Sequence, residues 1–169
     1  MSEPLLRALA RLRGLVLDEH TLVRAVASGR QKGERPQWRR VELRYVDLKA
    51  GRQLQVVTYD DTQAFTHNHP PGIPARSAVD ALLDEPFGSW HVETTTETHQ
   101  LRVTKKLEAT VSTTARGEPD TAPSRSHDRA KPRLLAEDHP VLVALGISDA
   151  EGRVKPTRQA KYRQVEEFL

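Results

Sequence analysis

The chain contains no cysteine, which excludes both a disulfide framework and a thiolate metal site and fits a reducing compartment. Aromatic residues make up only 5% of the 169 residues and hydrophobic residues 37%. A domain near 150 residues hides roughly 70% of its unfolded surface. With so little apolar material, part of the chain is expected to stay unpacked. Long hydrophobic runs are missing too. Arg7, Arg11 and Arg13 break up the apolar residues between Met1 and Leu17, so the segment has no signal-peptide core, and no stretch is long enough to span a bilayer. The expectation is a soluble cytoplasmic protein with no membrane partner.

Charge is plentiful, at 29% of residues, and unevenly spread. Residues 1–58 carry 12 Lys/Arg against 6 Asp/Glu, residues 59–100 carry 1 against 7, and residues 101–169 carry 13 against 10. A basic first third suits a phosphate backbone, because each neutralised phosphate releases condensed counterions. It also suits an ordinary solvated, Arg-rich surface.

The hydrophobic period divides the chain into elements. Residues 4–13 read as a short helix with Leu5, Leu9 and Leu12 at helical spacing, Ser2 as its cap and Gly14 interrupting it. Residues 22–27 read as a strand and 29–37 as a charged loop. In residues 38–48, Val41, Leu43 and Tyr45 alternate with Glu42 and Arg44, the pattern of a half-buried strand. Residues 54–59 and 63–68 continue an antiparallel meander, until Pro70-Pro71-Gly72 ends it. A helix over 75–84 is expected to bury Ala78, Val79 and Leu82. Strands at 90–95, 100–104 and 107–113 follow, rich in Thr and Val. Residues 114–126 have a linker's composition. Short helices are then expected at 140–145, closed by Gly146, and from 157 to the last residue. Tyr162, Val165, Phe168 and Leu169 form an apolar stripe on the latter, with nothing after it in the sequence to cover it. That makes the chain look like a piece of something longer.

The motifs are sparse. His67 and His69 would share one face of a strand, but a metal needs further ligands that no spacing rule supplies, so no metal site is assigned. Lys105-Lys106 reads as a solvated turn or as a phosphate contact. His127, Arg129, Lys131 and Arg133 form a dense basic cluster that lacks the partner group general-base chemistry requires. No strand, Gly-rich turn and helix follow one another as a dinucleotide or S-adenosylmethionine (SAM) site demands. No catalytic residue is assigned.

A resemblance enters in the last third. Ser126 to Leu135, then Pro140 to Ile147, Gly152 to Lys155, and Lys161 to Leu169 are similar, in that order, to the segment upstream of the SAM-binding motif in a family of bacterial class I SAM-dependent methyltransferases. Leu54-Gln55-Val56, Gln63 to Asn68 and Val103 to Lys106 look like that family's N-terminal domain, so the similarity runs loosely over 20–112 and strongly over 126–169. It implies that a Rossmann-like catalytic domain follows and holds S-adenosyl-L-methionine. It further implies that the helix from Lys161 packs near the cofactor, with Lys161, Arg163 and Gln164 as candidate site-lining residues. This chain ends before the SAM-binding turn, so methyl transfer by it alone is not expected.

Together these readings give an α+β fold: an antiparallel sheet of six or seven strands with one or two helices, then a linker and a C-terminal helical extension. The divisions are an accessory, substrate-binding domain at 1–113, a linker at 114–126 and a helical connector at 127–169. Two functions are carried forward. One is substrate recognition, of RNA or a ribosomal component, for a methyltransferase whose catalytic domain is the main partner. The other is a stand-alone nucleic-acid-binding domain. The candidate nucleic-acid contacts are Arg39, Arg40, Arg44, Arg52, Lys105, Lys106, His127, Arg129 and Lys131.

Overall fold

A computed structural model describes residues 2–117, 125 and 135–167. The chain divides into two compact units, residues 1–127 and residues 128–169.

The first unit is α+β, and its sheet has eight strands rather than six or seven. These are β1 (Ser2–Pro4), β2 (Leu22–Ser28), β3 (Arg40–Leu48), β4 (Gly51–Tyr59), β5 (Ala64–His69), β6 (Ser89–Thr94), β7 (Glu97–Val103) and β8 (Glu108–Ala115). Every pairing is antiparallel, in the order β1-β8-β7-β6-β2-β3-β4-β5. Two helices, α1 (Leu5–Leu17) and α2 (Ile73–Leu83), cover one face.

Strand alternation builds that core. Val41, Leu43 and Tyr45 of β3 lie opposite Thr58, Val56 and Leu54 of β4 and are buried, as the period-2 pattern requires. Trp90, Val92 and Leu101 extend the same layer, and Ala8, Leu12, Val16, Ala75, Val79 and Leu82 pack down on it from the helices. Phe87 meets Trp90 edge to face, at 5.9 Å between ring centroids. Burial of each such large side chain stabilises the fold by roughly 1.5–3 kcal/mol. The opposite face is polar: Arg24, Glu42, Arg44, Gln55, His91 and Gln100 occupy the alternate positions.

Several expectations need correction. Ser2 does not cap α1; it belongs to β1, opposite Thr110, and Pro4 stands at the N-cap without a side-chain hydrogen bond. Gly14 does not interrupt α1, because Val16 beyond it continues the buried stripe and outweighs the roughly 1 kcal/mol cost of a helical glycine. The stripe of α2 is Ala75, Val79 and Leu82, with Ala78 only half-buried. Thr114 and Ala115, expected in the linker, finish β8 opposite Thr98 and Glu97. Arg125 is held at the far end of β3: its carbonyl accepts from the Asp47 amide at 3.1 Å, and its guanidinium donates to the Glu19 carbonyl at 2.6 Å.

The second unit holds α3 (Pro140–Ala144), a 3-10 turn at Pro156–Arg158 and α4 (Gln159–Glu167). Gly146, at φ 65°, closes α3. The described part of the apolar stripe of α4, Tyr162 and Val165, is covered within this unit. Tyr162 is fully buried with Leu142, Ile147 and Val154, Val165 packs against them, and the Tyr162 hydroxyl donates to the Leu135 carbonyl at 2.6 Å. Phe168 and Leu169 lie outside the described residues.

Candidate nucleic-acid interface

Antiparallel pairing decides which loops meet. Ser28, Arg40, Tyr59, Ala64, Ser89 and Arg102 all stand at one end of the sheet, here called the upper end. The loops that emerge there are 29–39, 60–63, 84–88 and 104–107. The first of these is the most basic.

Its path is fixed by hydrogen bonds from its own backbone amides to the 84–88 loop. The Gln31 amide donates to the Pro86 carbonyl at 3.0 Å, and the Gln37 amide donates to Glu85 Oε2 at 2.8 Å. Gly88 makes the approach possible: a Cβ on it would lie 2.7 Å from the Arg30 carbonyl oxygen. The Val103 amide donates to the Gly88 carbonyl at 2.9 Å, which brings the end of β7 alongside.

The turn after β7 is a three-residue hairpin loop, Lys105-Lys106-Leu107. The Thr104 amide donates to the Glu108 carbonyl at 2.8 Å, and the Thr104 hydroxyl accepts from the Lys106 and Glu108 amides. Leu107, at φ 60°, sits where such loops usually place glycine. The expectation of a turn at Lys105-Lys106 is met, and both ammonium groups are exposed.

Two adjoining hollows result. One, of about 560 Å³, is lined by Arg30, Lys32, Glu34, Arg35, Thr104 and Lys105 among others, four cations against one carboxylate. Arg30, Lys32, Lys105 and Lys106 make no ion pair among the described residues, while Arg35 reaches Asp61 at 3.7 Å. The other, of about 250 Å³, shares Arg30 and Arg35 and adds Trp38, Arg39, Asp60 and Asp61. Trp38 is half-buried and tilts against Phe65, with centroids 5.7 Å apart. Backbone donation from Thr62 and Gln63 to Asp60 Oδ1, at 2.7 Å each, holds the Asp60 carboxyl below its usual range, so it is ionised at neutral pH.

The candidate contacts read from sequence scatter over this frame. Arg39 and Lys105 line the hollows, and Lys106 is beside them. Arg40 starts β3, paired to Glu42 at 2.6 Å and lying 6.0 Å from the Tyr59 ring centroid. Arg44 is on the polar face, donating to Gln55 at 3.2 Å. Arg52 is at the opposite end, held by Asp47 at 3.0 Å and Glu19 at 3.9 Å. His127, Arg129 and Lys131 lie outside the described residues. Lys161, Arg163 and Gln164 are exposed on α4 of the second unit.

Sequence reasoning missed Arg30, Lys32, Arg35, Trp38, Asp60 and Asp61 as site residues. The signal available was the charge density of the 29–37 loop, which reads as a plain loop until its neighbours across the sheet are known. His67 and His69 do share a face, opposite Val56 and Leu54. No group of three or more potential metal-ligating side chains occurs among the described residues.

The described residues do not fit a SAM site. They contain no parallel strand pair, and the one strand–glycine turn–helix run, β5–Gly72–α2, leads to β6 at a non-adjacent place in the sheet. No helix among them is long and apolar enough to cross a membrane. The class these features define is a two-layer α+β platform with a cationic basin at one end. No protein-family model, curated protein or solved structure matches the chain.

Proposed function

We propose that the chain is the substrate-recognition part of a SAM-dependent methyltransferase acting on RNA, and that the basin of Arg30, Lys32, Arg35 and Lys105 grips the phosphate backbone. The observation that carries the recognition role is the gathering of these cations, most of them without a carboxylate partner, from two separate loops. The methyltransferase context is supported by the resemblance of residues 126–169, and the cofactor is assigned to the catalytic domain which that resemblance places next. A ribosomal component is the alternative form of the substrate, gripped through the same phosphates.

Fluorescence anisotropy with a labelled single-stranded RNA over 50–300 mM salt tests the reading. Four phosphate contacts give a slope of log K against log salt near −3, at about 0.7 per phosphate. Changing Lys32 and Lys105 together to alanine is expected to flatten that slope by about 1 to 2 and to weaken all sequences alike. Absent binding, or binding indifferent to salt, would overturn the proposal.

A stand-alone RNA-binding domain remains the second reading, favoured by the basin lying wholly within the first unit. Calorimetry with SAM separates the two. A polypeptide extended beyond Leu169 binds the cofactor on the first reading and does not on the second, and the 169-residue chain binds none on either.

A further inference from the structure

The two hollows differ in chemistry, yet they share Arg30 and Arg35. The larger is cationic. The smaller combines an indole, two carboxylates and the guanidinium of Arg39, and its volume of about 250 Å³ is below the roughly 300–1,000 Å³ of pockets that enclose drug-sized ligands. It suits a fragment with a flat apolar face and a polar edge.

We propose that together they hold one guanine nucleotide of a single RNA strand, with the base in the Trp38 hollow and the adjoining phosphates in the Arg30, Lys32, Arg35 and Lys105 basin. This rests on the RNA reading above and makes it specific. Trp38 is the stacking surface, since every base has a π face and indole stacks on it. Phe65 braces the ring from one side. The carboxylates choose the base. An ionised carboxylate only accepts hydrogen bonds, and guanine presents two adjacent donors, N1–H and the 2-amino group, on one edge. Adenine, cytosine and uracil each place an acceptor beside their donor, which a carboxylate repels. Three donors from residues 62 and 63 anchor Asp60 through Oδ1, while Asp61 is exposed and, among the described residues, meets only Arg35, at 3.7 Å. Asp61 is therefore the carboxylate that can turn more readily to the base. A duplex hides that edge of guanine in pairing, so the strand must be single.

Tryptophan fluorescence tests this on the unaltered chain. Of the two tryptophans, Trp90 is buried in the core at 2% exposure and Trp38 is at the site, so quenching by a bound oligonucleotide reports Trp38. Pentauridylate with one central guanosine is expected to quench strongly and to bind about tenfold tighter than pentauridylate alone. A hairpin that holds the same guanosine paired within a long G·C-rich stem should not quench. Read by anisotropy of labelled oligomers, because these variants lack the reporting indole, Trp38→Ala should weaken the guanosine oligomer about tenfold, with Trp38→Phe restoring most of the loss. Asp61→Asn, an exposed and shape-conserving change, should erase the guanosine preference, so that the guanosine oligomer and pentauridylate bind that variant within about twofold of each other.

Should salt-dependent RNA binding persist without quenching and with no loss in Trp38→Ala, the nucleotide site falls and the basin stands. Should guanosine and uridine oligomers bind alike with strong quenching, the guanine assignment falls. Loss of all RNA binding by the wild-type chain overturns both.

Discussion

The upper and lower ends of the sheet are both rich in arginine and lysine, and they use these residues differently. At the lower end Arg52 is clasped between Asp47 and Glu19, and Arg125 donates to the Glu19 and His20 carbonyls. These cations close the local structure on itself. At the upper end Arg30, Lys32, Lys105 and Lys106 have no such partner among the described residues, and the lone Glu34 sits in the same hollow as four positive groups. Like charges gathered around too few carboxylates repel one another, by about 1 kcal/mol per pair at 4 Å in water. Four cations lining one hollow with a single carboxylate are what an anionic partner relieves, and this is the physical basis for placing function at the upper end.

The sharpest way to break the comparison is at Gly88. A Cβ there meets the Arg30 carbonyl at 2.7 Å and the Arg30 amide nitrogen at 3.0 Å, both backbone atoms that cannot swing aside. Gly88→Ala is expected to cost about 1–3 kcal/mol of stability, as overpacking does, and to push the 29–39 loop off its seat. Thermal or urea unfolding reads the first effect. RNA affinity, measured well below the melting point, reads the second. A variant that loses stability but keeps full affinity would show that the basin does not depend on this contact.

Much of the frame is legible in the sequence, because period-2 alternation is a local property. Val41, Leu43 and Tyr45 announce a half-buried strand, and the turns after Leu48 and Tyr59 are punctuated by glycine and aspartate. What escapes is whatever depends on a partner distant in sequence. β1 has three residues and no pattern of its own; it exists because β8 offers an edge to it. The same applies to the site. Lys105 and Arg30 are 75 positions apart, and only the β2–β6–β7 pairing puts their loops side by side. Arg52 looks as basic as Arg39 in the sequence, but nine residues of β3 and the pairing of β4 send the two to opposite ends. Trp38 reads as the first residue of a strand, and nothing local distinguishes it from a core aromatic. Burial of Tyr162 inside its own unit was not legible, because Leu142, Ile147 and Val154 are too few to signal a core by spacing.

The second effect belongs to the lower end and involves no RNA. Tyr45 is 4% exposed, its hydroxyl donates to the Leu17 carbonyl at 3.3 Å, and burial followed by the nearby charges of Glu19 and Asp18 pushes its pKa up to about 12. In the unfolded chain the phenol titrates near 10. Below that pH both states carry the proton and stability is unaffected. As pH rises from about 10 to about 12 the unfolded state ionises first, so stability falls across that window by about 2 kcal/mol and levels off above it. Unfolding of the wild type against Tyr45→Phe, followed by urea at pH 9, 10, 11 and 12, checks this. A Tyr45→Phe variant that loses stability over the same range to the same extent would assign the effect to other groups.

The smallest expected effect sharpens the contrast most. Arg52→Ala removes a cation from the first third of the chain, as Lys32→Ala does, so a mechanism based on net charge alone predicts equal losses of RNA affinity. The geometry predicts otherwise. Arg52 stands about 25 Å from the upper end, at about 3.3 Å per strand residue, more than two Debye lengths at physiological salt. Its removal should leave RNA affinity within about twofold, while breaking a largely solvent-screened pair should lower stability only slightly. Lys32→Ala should do the reverse, with little change in unfolding and a clear loss of affinity. If the two substitutions weaken RNA binding equally, the positive charge acts diffusely, and the distinction between the two ends of the sheet has no functional meaning.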